Sequence, residues 1–368
     1  MKLAIIGAST GQKKLCIKAH EMGVETIGFA WSKGAVCKDL FDKFYDISIT
    51  DFNKIIEICK QENVNGVVTN GSNFTIEPSS FIAESLQLPC TPYNIIKRIK
   101  DKHAVRELTK NVDGLNQIRS YSYDGGNPQF LPCIVKPVFG SAKEGVSFVT
   151  SKEDFDKAIQ YAQGESKEQK QILIEEFIKG REFSVESISF HGKHYVIQIT
   201  DKDCTGAPHF VEIGHHQPAN ITDDLRNKIS DLIPKILDAV GFTNGASHTE
   251  LMVKGDNDIY LIEINPRGGG DEISNTLVEL STNVDYVKMM IDVALDKFKA
   301  PIVRNTNFAG IYYLCKQTEK HLDFFKKIEN EPWLVKKEIS SYELNEATGN
   351  RDRNGYFIYC ANKKITLE

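Results

Sequence analysis

Two carboxylates and an amide that can share a ligand site lie on a predicted β-hairpin. Residues 259–264 are an apolar stretch typical of a buried strand, which carries Glu263 and leads into Asn265. Strand residues two apart point the same way, so these two side chains share a face. The turn at 254–258 predicts a hairpin that places Glu250 beside Glu263. Such hard oxygen ligands are preferred by Mg²⁺, and the hairpin therefore predicts a magnesium site.

Arg267 and three glycines, Gly268, Gly269 and Gly270, follow this hairpin at once. The guanidinium supplies a cation, and the glycine backbone supplies exposed N–H groups for a phosphate or a developing oxyanion. A surface hairpin with solvated charges is the alternative interpretation. It is disfavoured because Glu263 interrupts an apolar strand, which is a costly position for an idle carboxylate.

A second candidate site is Lys136, at the end of the apolar strand 134–137. A loop rich in small residues, 139–146, follows it. A lysine next to such a loop suits anionic phosphates, because it combines a point charge with backbone N–H donors. An ordinary hairpin with an edge lysine is the alternative.

His215 and His216 lie in the segment 210–218, which we interpret as part of a loop. Paired histidines can bind a metal, but the sequence offers no third ligand at a suitable spacing. Contact with a substrate and plain loop histidines remain as alternatives.

The composition is that of an ordinary soluble protein. Apolar residues make up 41%, charged residues 26%, and the net charge is −5 with both signs mixed, which argues against nucleic acid or an anionic membrane as partner. The eight cysteines form no C-x-x-C pair, and neither a signal peptide nor an apolar run of membrane-spanning length is present. We expect a reduced, cytoplasmic protein.

The N-terminal part, residues 1–92, alternates strands and helices and predicts a parallel sheet. The glycines at 7 and 11 lack the full G-x-G-x-x-G spacing, which argues against a dinucleotide site. Residues 70–73 end a strand and are expected to border a ligand cleft. Residues 306–368 contain predicted strands and one helix, and no site chemistry is recognisable there.

Taken together, these motifs resemble the ATP-grasp superfamily of carboxylate–amine ligases. The resemblance covers residues 93–300 in detail. It implies a fold of class α/β and α+β, with an N-terminal parallel α/β domain (1–92) before a two-subdomain ATP-grasp fold (93–305). A mobile lid would span about 115–178, and 306–368 would be an α+β extension. The residues that carry it are Lys102, Lys136, the glycine loop, 175–178, Glu182, Glu250, Glu263, Asn265 and Arg267.

The resemblance also implies a ligand for each motif. The lysines would contact the phosphates of ATP, the loop would fold over them, the strand ending at 178 would read adenine, and Glu182 would bind ribose. Glu250, Glu263 and Asn265 would hold two Mg²⁺ ions, with Mn²⁺ as an alternative. The implied ATP-binding residues are Lys102, Lys136, Gly140, Ser141, Gly145, Glu175, Glu176, Phe177, Ile178 and Glu182.

Three stretches are similar to the L-amino-acid ligases, the branch that makes dipeptides: 182–186, 199–202 and 208–215. By this resemblance, Arg267 and Lys202 would be catalytic. The amino-acid pocket would be lined by His215, Gly269 and Gly270.

The expected reaction is amide formation through an acyl phosphate, with small-molecule carboxylates and amines as partners. A homodimer is left open. A purine-biosynthetic or carbamoyl-phosphate-type ligase on the same fold is one alternative. A nucleotide-binding regulator without turnover is another.

Overall fold

The computed structural model describes residues 1–140, 144–165, 171–255 and 257–367. It begins with a parallel four-stranded sheet of order β3-β2-β1-β4. Asp51 caps the second helix of this unit, since its side chain accepts a hydrogen bond from the backbone N–H of Lys54. The elements are β1 (Lys2–Ile6), α1 (Thr10–Glu21), β2 (Glu25–Ala30), β3 (Lys43–Asp46), α2 (Phe52–Glu62), β4 (Gly66–Val68) and α3 (Ile76–Ser85).

Two short helices, α4 (Tyr93–Lys100) and α5 (Lys102–Thr109), lead into a smaller four-stranded sheet. Its order is β5-β8-β6-β7, all antiparallel, and α6 covers one face with Phe155 and Ile159 in the core. These elements are β5 (Ser120–Ser122), β6 (Cys133–Pro137), β7 (Ser147–Val149), α6 (Lys152–Glu165) and β8 (Ile172–Glu176).

The remaining strands form one eight-stranded sheet of order β13-β12-β9-β10-β11-β14-β16-β15. Alternate side chains point to opposite faces, and one face packs against the long helix α7 through residues such as Phe183, Val185 and Leu251. The elements are β9 (Arg181–Phe190), β10 (Lys193–Cys204), β11 (Glu212–Gln217), α7 (Asp223–Val240), β12 (Gly245–Lys254), β13 (Asp258–Asn265), α8 (Val278–Thr282), α9 (Tyr286–Ala294), β14 (Phe308–Leu314), α10 (Leu322–Lys327), β15 (Leu334–Ile339) and β16 (Gly355–Ala361).

The expected fold class, a parallel α/β unit followed by antiparallel sheets, is confirmed. The interpretation of 210–218 as a loop is wrong over residues 212–217, which form β11 between β10 and β14. Ile213 is the one β-branched residue in this polar segment, so strand propensity is weak and the strand is set by its two neighbours. No helix within the described residues combines the length and apolarity needed to cross a membrane.

Helix α9 joins the N-terminal unit to the eight-stranded sheet. One hydrophobic cluster contains Leu15 and Val68 from the unit, Ile188 from the sheet and Met290 from α9. The N-terminal unit and α9 pack closely at Gly66 of β4. A Cβ atom on Gly66 would lie 2.5 Å from the carbonyl oxygen of Ala294.

We therefore expect Gly66→Ala to lower the free energy of unfolding by about 1–3 kcal/mol, because the new methyl group has no space. The measurement is urea unfolding. Gly164→Ala is the control, since Gly164 lies in α6 with no atom within 4 Å of a new Cβ. That variant should be neutral or more stable by up to about 1 kcal/mol. Equal stability of the Gly66→Ala variant and the parent would contradict the close fit.

Candidate active site

The hairpin of β12 and β13 brings the predicted oxygen ligands together. Glu250 pairs with Glu263, and His248 pairs with Asn265. On the other side of β12, Glu186 of β9 pairs with His248. The prediction that Glu250 and Glu263 lie side by side is confirmed. These side chains lie on the sheet face opposite α7.

Lys102, at the start of α5, lies close to these oxygen ligands. Asp101 caps that helix by accepting a hydrogen bond from the backbone N–H of Ala104 at 3.0 Å, which places Lys102 in the first turn. The Lys102 ammonium lies 3.4 Å from the Glu263 carboxylate and donates to the Gly140 carbonyl at 3.2 Å. Lys102 thus links the oxygen ligands to the small-residue loop.

Lys136 lies in a buried group of three charges. Its ammonium is 2.5 Å from the Glu175 carboxylate, which also accepts a hydrogen bond from Arg106 at 2.7 Å. Burial raises the pKa of Glu175, but Arg106 and Lys136 outweigh it and lower that pKa to about 2. From the sequence, Glu175 was predicted to bind ATP. The ion pair in which its carboxylate positions Lys136 was not predicted.

Most of the predicted ATP-binding residues line one cavity between the two antiparallel sheets. Its apolar walls include Ile134, Phe210 and Met252, and its charged groups lie together, an arrangement suited to a nucleotide with a flat base and a polyphosphate. Gly145 instead approaches Pro137, and Ser141 lies outside the described residues. The predicted residues in the wall are Lys102, Lys136, Gly140, Glu175, Glu176, Phe177, Ile178, Glu182, Glu250 and Glu263.

Lys202 is buried among three carboxylates. Its ammonium lies 2.7 Å from Glu182, 2.8 Å from Glu212 and 3.1 Å from Glu250. Burial lowers the pKa of Lys202, but the three carboxylates raise it well above its ordinary value. Lys202 therefore stays charged and neutralises the acidic cluster. Glu212 was not identified from the sequence, because its place in the site depends on the pairing of β10 with β11.

Arg267 connects the hairpin to the N-terminal unit. Its Nε donates to the Asn73 side chain at 2.5 Å, and Asn73 donates to the amide oxygen of Asn265 at 3.2 Å. Burial lowers the pKa of Arg267, and the nearby Glu263 opposes that shift. The expectation that residues 70–73 border a ligand site agrees with these contacts.

Gly269 and Gly270 line a separate cleft of about 820 Å³. Its walls come from the loop before α1, the glycine turn and the C-terminal strands, and they include Thr10, Tyr313 and Arg353. The cleft shares no wall residue with the nucleotide cavity, so it is a candidate place for the substrates.

His215 is fully buried next to this cleft, and His216 points to the other face of β11. Both ring nitrogens of His215 lack a hydrogen-bond partner among the described residues. Its Nε2 lies 3.5 Å from Asp271 and 3.7 Å from Glu212. Adjacent strand residues diverge, so the two histidines do not share a ligand. His216 instead bonds to Asp203 at 3.0 Å.

Glu212, three residues before His215, and Asp271, in the turn after β13, lie close enough to His215 to form a possible metal set with it. Fixed cations already hold its carboxylates, however: Arg353 donates twice to Asp271 at 2.9 Å, and Lys202 pairs with Glu212. This balance of charge favours a polar substrate group over a metal.

Arg353 was missed by sequence reasoning, which found no site chemistry in residues 306–368. Besides its pair with Asp271, its guanidinium lies 3.6 Å from the centre of the Tyr313 ring. The partners are 82 and 40 residues away in sequence, and no local motif marks them.

The residues present fit Mg²⁺. Glu250 and Glu263 are paired across β12 and β13 with the amide of Asn265 on the same face, and carboxylate and amide oxygens are the hard ligands that Mg²⁺ prefers. Burial raises the pKa of Glu250, but Lys202 and His248 lower it well below its ordinary value, which keeps it ionised as a metal ligand must be.

Comparison with known proteins identifies this arrangement. Residues 129–276 match the model of the ATP-grasp domain. This part of the chain is an ATP-grasp domain. The predicted family and the prediction of an ATP-dependent ligase that forms C–N bonds are confirmed at this level.

The formate-dependent phosphoribosylglycinamide formyltransferase of Methanocaldococcus jannaschii is 25% identical to this chain over 292 residues, 73% of this chain and 70% of that protein. The alanine–anticapsin ligase of Bacillus amyloliquefaciens is 24% identical over 65% of this chain and 56% of that protein. The L-amino acid ligase of Bacillus licheniformis shares the fold, with a TM-score of 0.81 over 98% of this chain and 93% of that one at 20% identity.

The Glu175 ion pairs predict a pH-dependent contribution to stability. Its folded pKa of about 2 lies below the ordinary value of 4.5, so the stabilisation is full above pH 4.5 and is lost as the pH falls towards 2. We expect Glu175→Gln to cost roughly 3–5 kcal/mol at neutral pH, since two buried cations lose their counter-charge. The difference from the parent should shrink as the pH falls through that window.

The measurement is urea unfolding of parent and variant across this pH range. Glu153→Gln is the control, because the Glu153 side chain is 85% exposed and pairs only loosely with α6 lysines. A constant difference between parent and Glu175→Gln at every pH would contradict the assigned pairing.

Proposed function

We propose that this chain joins amino acids or amino-acid-like substrates through an acyl phosphate, in a reaction that consumes ATP and requires Mg²⁺. The roles given below to individual side chains, and the two-ion stoichiometry, belong to this proposal. The observation that supports it best is that β13 and the turn after it connect the two sites. Glu263 lines the nucleotide cavity, and the turn that follows Arg267 lines the cleft.

The first step is transfer of the γ-phosphoryl group to a carboxylate. A carboxylate oxygen attacks the γ-phosphorus, the bond to the β,γ-bridging oxygen breaks, and ADP leaves with that electron pair. Lys102 and Lys136 neutralise charge on the phosphates, and Glu250, Glu263 and Asn265 are the residues that would hold Mg²⁺. The bound ions supply further neutralisation of the phosphate oxygens.

In the second step an amine attacks the acyl carbon, phosphate leaves with the electron pair of the C–O bond, and the nitrogen loses a proton to the leaving phosphate or to solvent. Arg267 and backbone N–H groups of the glycine turn other than that of Gly269, which donates to Glu186, stabilise the oxyanion, a class of interaction worth roughly 3–4 kcal/mol per donor. The residues from 140 to 145 would exclude water, which otherwise hydrolyses the acyl phosphate.

The cleft supports an amino-acid substrate. It carries both signs of charge, with Asp271 and Glu272 near Arg353 and Lys337, and His215 lies buried beside it. A zwitterion finds partners for both of its charges in such a site. The named substrates of the alanine–anticapsin ligase and the L-amino acid ligase agree with this choice.

A second candidate is supported by the relatives named as formate-dependent phosphoribosylglycinamide formyltransferases. In this case formate is the carboxylate and a phosphoribosylated amine is the acceptor. The two candidates share the chemistry of the first site and differ in what occupies the cleft.

The test is an ADP-release screen with mass spectrometry of the products. The panel contains pairs of amino acids, and formate with phosphoribosylglycinamide as a separate arm. We expect ADP release with an amino-acid pair, and we expect Glu263→Gln to lower turnover at least about a hundredfold, because losing one ligand charge weakens metal-assisted transfer.

Glu107→Gln is the matched control, since Glu107 is an exposed carboxylate of α5 that pairs with Lys110 at 3.0 Å. Turnover of Glu263→Gln within about tenfold of the parent at saturating Mg²⁺ would refute its role. Product formation in the formate arm alone would select the second candidate. The absence of ADP release in both arms would favour a nucleotide-binding regulator without turnover.

An acyl phosphate also predicts isotope scrambling. When ATP labelled in the β,γ-bridging oxygen is incubated with Mg²⁺ and the carboxylate alone, reversible transfer frees the β-phosphate of ADP to rotate before ATP re-forms. We expect the label to move to non-bridging positions, detected by phosphorus NMR. A parallel sample includes an unreactive amine analogue, in case the amine must bind first. Normal ligation without scrambling in either sample would argue against a reversible acyl phosphate.

A further inference from the structure

A buried carboxylate outside the predicted site holds the glycine turn in place. Glu186 is fully buried on β9, and one of its oxygens accepts a hydrogen bond from the backbone N–H of Gly269 at 2.9 Å. The Gly269 carbonyl accepts from the Ser274 hydroxyl at 2.7 Å. Both polar groups of this residue are therefore fixed, one by the sheet and one by the following helical turn.

The other oxygen of Glu186 pairs with His248. The Nδ1 atom of His248 faces Glu186, and its Nε2 lies 3.1 Å from the Glu250 carboxylate. The imidazole of His248 therefore lies between two carboxylates and contacts one through each ring nitrogen.

The turn fits this pair so closely that only glycine is accommodated. A Cβ atom on Gly269 would lie 2.7 Å from Nδ1 of His248 and 2.8 Å from a Glu186 oxygen. The pair is buried, with His248 only 4% exposed, so it contacts neither the nucleotide cavity nor the cleft as a wall residue. Successive polar contacts therefore connect Gly269 to Glu186, Glu186 to His248, and His248 to Glu250.

We propose that Glu186 and His248 are positioning residues that tie the substrate-side glycine turn to the metal-side carboxylate Glu250. Their effect is to keep the oxyanion donors of the turn in register with the phosphoryl group held at Glu250. This reading of what is positioned rests on the proposed function. The mechanical link between the turn and Glu250 does not.

The first experiment uses the free protein and needs no substrate. In Glu186→Gln the side chain keeps its shape, but its NH₂ group meets either the Gly269 N–H or the His248 N–H, so one contact is lost. We expect amide deuterium exchange of the peptide 266–272 to accelerate at least about tenfold. Nucleotide affinity, measured with ADP and Mg²⁺, should stay within about twofold of the parent.

His248→Gln breaks this series of contacts at its centre, since one amide group cannot donate to both carboxylates in the same geometry. We expect the same faster exchange in 266–272 together with at least about fivefold weaker binding of ADP with Mg²⁺, because Glu250 loses a partner. This contrast separates a link from a local defect. It also keeps the inference testable when one of the two variants does not fold.

The matched controls are Ser187→Ala and Thr249→Val. Each residue is adjacent in sequence to one member of the pair, is fully buried on the α7 face, and has a hydroxyl without a hydrogen-bond partner among the described residues. Both controls should leave exchange in 266–272 unchanged. If exchange in the controls accelerates as much as in Glu186→Gln, the effect comes from general packing and the proposal is wrong. Unchanged exchange in Glu186→Gln would also overturn the proposal.

Kinetics add a readout that packing alone does not move. With an amino-acid pair that the parent ligates, Glu186→Gln should lower kcat at least about tenfold while the KM for ATP stays within about twofold. Equal effects on both constants would contradict positioning at the turn. If the parent ligates nothing, the proposed function fails, while the exchange and ADP-binding results still decide the link.

Discussion

The side chains of the site share one face because β9, β12 and β13 pair in a defined register, which includes a β-bulge between Glu250 and Leu251. Glu186, His248 and Asn265 form one row across the three strands, and Glu250 and Glu263 lie in the next. Strand side chains alternate with period two, so a slip of one residue would turn Glu250 towards α7 and bring Leu251 to the polar side. The apolar residues on the α7 face, with Leu251 among them, oppose that slip, and the core therefore specifies the site.

Charge compensation is the second constraint. Three carboxylates of the nucleotide cavity lie beside fixed cations: Glu175 beside Lys136, Glu250 beside Lys202, and Glu263 beside Lys102. A buried charge without a partner is costly, so these pairs must form as the chain folds. The cations around Glu175 and Glu250 lower the pKa of both carboxyl groups against the effect of burial and so keep them ionised.

The site also contains residues from the N-terminal unit and from the last hairpin of the chain. Asn73, from the N-terminal unit, holds Arg267 and Asn265, and Arg353, from the last hairpin, holds Asp271 beside His215. Helix α9 brings the N-terminal unit against the sheet through one hydrophobic cluster. The glycine turn between these parts is thus held from both sides, which suits a place where two small substrates must meet.

The sequence by itself determined the elements whose signals are local. The β12–β13 hairpin followed from its turn residues and from the apolar stretch around Glu263, and the start of α5 followed from Asp101 before Lys102. The α/β and α+β class and the ATP-grasp family were also readable, because the order of the motifs is specific even where each is common.

Only the tertiary structure decided which distant charges meet. Residues 212–217 read as a loop because strand propensity there is weak, and pairing with two neighbouring strands overrides it. The partners of Lys202, the link from Glu186 to Gly269 and the contact of Arg353 with Asp271 join residues up to 83 positions apart. Such contacts depend on strand order and register, and these are set by how the whole chain buries its apolar surface, which no local pattern records.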